Sequence, residues 1–140
     1  MAHEIVVTDA PGQAAYDAIL AGIVAYNDSR AEPGGHRLLA VLIKDEAGKV
    51  TGGLWGTTGW RWLFVHLFWL PETLRGAGLG RDLLRRAEAE AMARGCGNVW
   101  LDTFSFQARG FYEKLGYRVF ATLEDYPPGH RRYFMQKRLG

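Results

Sequence analysis

One stretch constrains the fold of this chain more than any other. In it, a strand-like apolar run is followed by a glycine-rich turn and then by a helical pattern. The run ends at Pro71, and glycines then occupy alternate positions in residues 75–80, RGAGLG. From Leu79 onward, leucines and alanines recur at helical spacing, and charged residues such as Glu88 fall mostly on the other face. The pattern therefore predicts a strand, a turn and a helix in succession, with the turn at the helix N-terminus.

A turn of this kind is suited to binding a phosphate group. Glycines leave backbone N–H groups uncovered by side chains, and the helix macrodipole favours negative charge at the helix N-terminus. The Walker pattern is excluded because Arg81 follows Gly80 where that pattern requires lysine. The dinucleotide fingerprint is excluded because Arg81 stands at its third glycine position. A diphosphate is the expected ligand, and a turn that binds nothing is the alternative.

Two motifs connect the chain with a known family. Residues 75–80 fit R-x-x-G-x-G and resemble the acetyl-CoA pyrophosphate loop of the GNAT superfamily of N-acetyltransferases. Residues 105–117, SFQARGFYEKLGY, are similar to the superfamily pattern N-x-x-A-x-x-[LF]-Y-E-K-L-G-[FY], with Ser105 in place of the usual Asn. The order and spacing of the two motifs also match. The resemblance covers about half the chain, through the second half of the fold.

The resemblance implies that acetyl-CoA is the co-substrate, with its diphosphate on the glycine-rich turn. A backbone N–H near Leu70 would hold the thioester carbonyl where the fourth strand splays from the fifth. The pantetheine arm would insert there like an extra strand, so that main-chain hydrogen bonds position it. The cofactor-binding residues implied are Trp69, Leu70, Arg75, Gly76, Ala77, Gly78, Leu79, Gly80, Arg81, Ser105 and Ala108.

The resemblance also implies a general acid. Tyr112 occupies the family's frequent acid position. A phenol with a pKa of about 10 can donate a proton to a thiolate whose conjugate acid has a pKa of about 8.5. The alternative is a core tyrosine that anchors the cofactor without transferring a proton.

The general base is less well defined by the sequence. Period-two alternation from Leu70 predicts that His66 and Phe68 share a strand face, and His66 is the nearest titratable group. A partly buried histidine with a satisfied hydrogen bond is the alternative. Glu72 and Asp102 are weaker candidates, and a reaction without a protein base is also open.

The expected fold is α/β, a single GNAT domain over residues 1–140. The resemblance implies a mixed, mostly antiparallel seven-stranded sheet, splayed between strands 4 and 5 and flanked by helices. Helices are predicted over residues 13–26 and 106–115, besides the one that follows the glycine-rich turn. Strands are predicted over residues 5–8, 37–44, 49–58, 61–70, 98–103, 117–123 and 132–137.

Composition excludes several classes of function. The net charge of +2 is too small to indicate a nucleic-acid-binding protein. The single Cys96 excludes an internal disulfide and fits a reducing compartment. The absence of a membrane-spanning run or a signal-peptide pattern makes the cytoplasm the expected location. No pair of histidines or cysteines has metal-ligand spacing, so no metal is expected.

These features together predict an acetyl-CoA-dependent N-acetyltransferase acting on a primary amine by direct attack, because neither motif contains a cysteine. The partner expected is a small-molecule or peptide amine substrate, and the loop over residues 124–131 is a candidate for the acceptor site or a homodimer contact. Antibiotics, polyamines, amino-acid derivatives and protein amines all remain open as acceptors. The alternative is a non-catalytic acyl-CoA-binding or regulatory module that keeps the glycine-rich turn without needing Tyr112.

Overall fold

A computed structural model describes residues 3–140, and the chain divides into two units, residues 1–34 and 35–140. In the first unit, helix α1 (Gln13–Asp28) confirms the predicted helix and is two residues longer. Residues 5–8 form no strand, so the predicted first strand is wrong. A β-branched run fits a pleated surface, but it becomes a strand only where its backbone pairs with a neighbour.

The second unit contains a six-stranded sheet in the order β1-β2-β3-β4-β6-β5. Four neighbouring pairs are antiparallel, and β3 and β4 are parallel. The sheet is therefore mixed and mostly antiparallel, as predicted, but it has six strands instead of seven. The strands are β1 (Arg37–Lys44), β2 (Val50–Gly59), β3 (Trp62–Trp69), β4 (Asn98–Phe104), β5 (Arg118–Glu124) and β6 (Arg131–Arg138).

Two α-helices connect strands within this unit. Helix α2 (Leu79–Ala93) links β3 to β4, which is the crossover that a parallel pair requires. Helix α3 (Arg109–Lys114) links β4 to β5 and is shorter than predicted. The reason is Gln107, whose Oε1 accepts a hydrogen bond from the Phe104 N–H at 2.9 Å and so holds the preceding residues in a turn.

The core lies on one face of the sheet, against α2. Alternate residues of β4 are fully buried, which is the period of two expected for a strand with one face in the core. Burial of each large aliphatic side chain contributes about 1.5–3 kcal/mol. The largest fully buried side chains are Leu54, Leu63, Leu84, Val99, Leu101 and Met135. Within residues 3–140, no helix has the length and apolar character needed to cross a membrane.

Candidate active site

Strands β3 and β4 pair over only four residues and then separate. The last pair joins Val65 to Leu101, whereas β3 continues to Trp69 and β4 to Phe104. Beyond that pair, the facing backbone N–H and C=O groups of β3 and β4 do not hydrogen-bond to each other. The gap can therefore accept an extended ligand as a further strand. This is the predicted splay, and it lies between the third and fourth strands because residues 5–8 form no strand.

A β-bulge occurs at His66, within the part of β3 that has separated from β4. On β2, the consecutive residues Trp55 and Gly56 lie opposite Leu67 and Val65. His66 is therefore the extra residue of β3 and has no residue opposite it on β2. A bulge shifts side-chain alternation by one residue, so a period-two count fails across this position.

The bulge separates His66 from Phe68, which corrects the prediction that they share a face. The Phe68 ring packs on the core side, 6.2 Å from the Tyr112 ring centroid. The His66 ring instead lies 4.0 Å from the ring of Phe64, and its Nε2 lies 3.1 Å from Oγ1 of Thr57. His66 is exposed, so its ring is accessible to water. Its role as a base remains a prediction.

The glycine-rich turn forms the N-terminus of α2. Gly76 and Gly78 have φ values of +88° and +80°, a region that residues with a Cβ seldom adopt. Gly78 is the N-cap residue, and no side chain caps the helix there. The N–H groups of Leu79 and Gly80 in the first turn have no intrahelical acceptor. The turn thus presents free donors at the positive end of the helix dipole, as a diphosphate site requires.

Arg75 and Gly80 hold this turn against the end of β3. Nε of Arg75 donates a hydrogen bond to the Leu70 carbonyl at 2.9 Å, and its guanidinium lies 5.0 Å from the Trp69 ring centroid. A Cβ on Gly80 would lie 3.0 Å from Cδ1 of Leu70 and 3.3 Å from Cζ of Phe111. Glycine at this position therefore lets α2 pass close to both side chains. The glycine-rich turn is therefore in direct contact with Leu70, the residue that follows β3.

Tyr112 of α3 lies on the core side, and its side chain is 6% exposed. Three rings surround it, those of Phe68, Phe111 and Tyr117, at centroid distances of 6.2, 5.1 and 5.9 Å. Burial, and to a lesser extent the charge of Asp102, raises the pKa of Tyr112 to about 12. The Tyr112 hydroxyl has no hydrogen-bond partner among residues 3–140. Every fully buried side-chain N or O atom in this part of the chain does have a partner, so the Tyr112 hydroxyl is in contact with solvent.

Asp102, a weaker candidate for the base, is the first β4 residue beyond the last pair with β3. Nε of Arg132 donates a hydrogen bond to Oδ1 of Asp102 at 3.0 Å, and Nη2 forms a salt bridge with Oδ2 at 2.9 Å. The Arg132 guanidinium also lies 5.0–5.3 Å from the ring centroids of Phe104, Tyr126 and Phe134. Both carboxylate oxygens of Asp102 are therefore already paired with Arg132. Among residues 3–140, no group of three or more acidic, His or Cys side chains is arranged to hold a metal ion.

Ser105 and Ala108 lie in the turn between β4 and α3. Oγ of Ser105 accepts a hydrogen bond from the Arg131 N–H at 3.0 Å and lies 3.4 Å from Nδ1 of His130. Ala108 is the N-cap residue of α3, and its N–H donates to Oγ1 of Thr103 at 3.4 Å. The Ser105 hydroxyl thus joins the end of β4 to the start of β6. A cofactor contact through either residue remains a prediction.

Glu88 of α2 is buried, which the charge pattern of the helix does not predict. It was expected on the polar face of α2, yet it is only 8% exposed. The hydroxyl of Tyr117 donates to its carboxylate at 2.6 Å, and Nζ of Lys137 donates to it at 3.0 Å. The available signal is spacing, because Glu88 follows Leu84 by four residues and precedes Ala91 by three, which places it in the buried stripe.

A comparison with known protein families identifies the chain. The sequence model described as the acetyltransferase (GNAT) family matches residues 8–117, which is more than half of the chain. The chain belongs to the GNAT family. GNAT acetyltransferases use acetyl-CoA, and the splay and the glycine-rich turn lie in the segment that matches.

Individual GNAT relatives extend this finding. A protein of Streptomyces morookaense named blasticidin-S acetyltransferase is 46% identical over 95 residues, which cover 67% of this chain and 70% of that protein. A named acetyltransferase of Agrobacterium fabrum is 36% identical over 134 residues, or 96% and 98% of the two chains. The crystal structure of a Bacillus cereus acetyltransferase is 34% identical, with a TM-score of 0.86 over 99% of this chain and 98% of that one.

These findings identify an acyl-CoA-dependent acetyltransferase. They favour the enzyme over the non-catalytic module that the sequence alone leaves open.

Proposed function

We propose that this GNAT enzyme transfers the acetyl group of acetyl-CoA to a primary amine by direct attack of the amine nitrogen. The supporting observation is the junction at Gly80, where the glycine-rich turn meets both the end of the splayed strand, at Leu70, and α3, at Phe111. Phe111 in turn packs beside Tyr112. The glycine-rich turn, the gap between β3 and β4, and the candidate acid Tyr112 are therefore adjacent.

The residues present fit acetyl-CoA, which supplies the activated acetyl group. The free N–H groups at the start of α2 would hold the diphosphate, and Arg75 and Arg81 add positive charge beside them. A Cβ on Gly76 would meet no atom within 4 Å, so the turn is open on that side. The gap beyond Val65 would take the pantetheine arm, and a backbone N–H near Leu70 would hold the thioester carbonyl.

Tyr112 would act as the general acid. As the amine nitrogen bonds to the carbonyl carbon, the C–S bond breaks and the sulfur takes the hydroxyl proton of Tyr112, which solvent then replaces. Because the pKa of Tyr112 is raised to about 12, the phenol carries this proton throughout the physiological pH range. Burial that disfavours a phenolate also disfavours a thiolate at the same place, so the raised pKa of Tyr112 does not by itself oppose proton transfer to the sulfur.

His66 would accept the proton that the amine loses, directly or through a water molecule. Its exposed ring can exchange protons with solvent, and Thr57 orients it through the 3.1 Å contact with Nε2. Asp102 is less suited because its carboxylate is bound by Arg132. An acceptor amine that loses its proton to solvent before binding would need no protein base.

The acceptor we infer is a small-molecule amine, because the relative that is 46% identical is named for its action on blasticidin-S. A peptide amine is the second class. We also propose that the protein functions in the cytoplasm, where its buried Cys96 would stay reduced, and that it forms a homodimer.

The test measures thiol release from acetyl-CoA with a panel of amines that includes blasticidin S, polyamines and peptide N-termini. We expect amine-dependent release, and a loss of at least about tenfold in Tyr112→Phe. Amine-dependent release that Tyr112→Phe leaves unchanged would remove Tyr112 as the acid and keep the transferase.

A further inference from the structure

We propose that Glu88, Tyr117 and Lys137 form a positioning network for Tyr112. This inference rests on the proposed role of Tyr112 as the general acid. None of the three residues of the network is proposed to touch a substrate. Their role is to fix the place of the Tyr112 ring, and therefore of its hydroxyl.

The network joins three elements around one buried carboxylate. Glu88 lies in the third turn of α2, Tyr117 directly follows the turn after α3, and Lys137 lies near the end of β6. Oε2 of Glu88 accepts a hydrogen bond from the Tyr117 hydroxyl at 2.6 Å. Nζ of Lys137 donates to Oε1 and Oε2 at 3.0 and 3.1 Å, and it lies 5.5 Å from the Tyr117 ring centroid.

The arrangement allows one pattern of hydrogen bonds. Burial, followed by the hydrogen bond to Glu88, raises the pKa of Tyr117, so this phenol remains a donor at physiological pH. The Lys137 ammonium can only donate, and the Glu88 carboxylate can only accept. Because Glu88 and Tyr117 are 8% and 3% exposed, water cannot easily replace either partner, and a short charge-assisted bond at 2.6 Å is strong there.

Tyr112 depends on this network because Tyr117 is one of the three rings that set the position of its side chain. The hydroxyl has no hydrogen-bond partner within the described chain, so its place is set by the rings around it. The Tyr117 ring meets the Tyr112 ring edge-on, at 5.9 Å and 67°. Phe68 of the splayed strand meets another side of Tyr112, also edge-on, at 6.2 Å. Fixing Tyr117 through Glu88 therefore fixes one wall of the space that the Tyr112 ring occupies.

The experiment measures steady-state kinetics and melting temperature for the full chain. Tyr117→Phe keeps the ring beside Tyr112 and removes the hydroxyl that binds Glu88. We expect kcat to fall about fivefold while KM for acetyl-CoA stays within about twofold. In a Tyr112→Phe background, Tyr117→Phe should lower kcat no further, because the residue through which it acts is gone. Glu88→Gln keeps an acceptor for Tyr117, so it should lower kcat less than Tyr117→Phe does.

Thr58→Val is the matched control. Thr58 is buried on β2, and its Oγ1 accepts a hydrogen bond from Nη1 of Arg94 at 3.1 Å. The variant loses a partly buried hydrogen bond outside the Tyr112 cluster, so it should lower the melting temperature while kcat stays within about twofold.

Two results would overturn the network. The first is a fall in kcat for Tyr117→Phe that is equal in the native and Tyr112→Phe backgrounds. The second is a fall in kcat for Thr58→Val as large as that for Tyr117→Phe, when the two variants lose the same melting temperature. A Tyr112→Phe variant with native kcat would overturn the acid itself, which is a distinguishable result.

Discussion

Nε of Arg75 donates a hydrogen bond to the carbonyl oxygen of Leu70 at 2.9 Å. This bond joins the turn proposed to bind the diphosphate to the strand end proposed to hold the thioester. The guanidinium lies 5.0 Å from the Trp69 ring centroid, which adds a cation–π contact on the same strand. The two parts of the proposed acetyl-CoA site are therefore coupled through one side chain.

Arg75→Lys is expected to raise KM for acetyl-CoA about fivefold with little change in kcat. Lysine keeps the positive charge but lacks the planar group that both donates to Leu70 and stacks on Trp69. Arg86→Lys, on the exposed side of α2, is the matched control and should leave KM unchanged. An unchanged KM in Arg75→Lys would show that charge alone matters at this position.

Gly80→Ala is expected to weaken acetyl-CoA binding and lower the melting temperature. Alanine normally stabilises a helix by about 0.5–1 kcal/mol relative to glycine. Here the added methyl would lie 3.0 Å from Leu70 Cδ1 and 3.3 Å from Phe111 Cζ, so those side chains must move. Calorimetric titration with acetyl-CoA measures the effect, and Gly97→Ala, with nothing within 4 Å of its Cβ, is the control. A more stable Gly80→Ala with native affinity would contradict the close approach.

Stability is expected to fall as pH rises from 10 to 12. Tyr112 has a pKa of about 12 in the folded chain against about 10 when unfolded, so over this interval the unfolded state loses the proton while the folded state keeps it. This contribution to the free energy of unfolding is fully present below pH 10, and about 2 kcal/mol of it is lost by pH 12. Urea unfolding at pH 8 to 11 measures the slope, which should be smaller in Tyr112→Phe. An equal slope in both proteins would contradict the raised pKa.

His66→Gln is expected to lower kcat/KM for the amine about tenfold at pH 7. Glutamine can still hydrogen-bond to Thr57, but it cannot take up a proton. The loss should shrink at higher pH, where more of the acceptor amine is already neutral. A loss that is equal at every pH would assign His66 a binding role instead.

Local signals allowed much of the fold to be predicted from the sequence. The turn that ends at Gly48 predicts the β1–β2 hairpin, and Gly95 predicts the end of α2. The φ values of these glycines are +80° and +87°. The glycine-rich turn was placed by its own composition and by the helical pattern that follows. These features depend on residues that are neighbours in the chain, so their sequence carries the information.

The bulge and the network could not be predicted in this way, because both depend on distant residues. The alternation that fails at His66 is set by the register with β2, through Trp55 and Gly56. The burial of Glu88 becomes favourable only because Tyr117 and Lys137, 29 and 49 positions further along the chain, meet its carboxylate. Charge alone therefore indicated the wrong face of α2 for this residue.

The short pairing between β3 and β4 has a mechanical consequence. The sheet consists of two three-stranded halves, β1-β2-β3 and β4-β6-β5, and a parallel seam of four residue pairs from Trp62–Asn98 to Val65–Leu101 is their whole backbone connection within the sheet. The other neighbouring strands pair over six or more residues, so within the sheet this seam offers the fewest backbone bonds against relative movement of the two halves. A pantetheine arm that hydrogen-bonds to both β3 and β4 beyond the seam would join the two halves of the sheet. The co-substrate would then also make the enzyme more rigid.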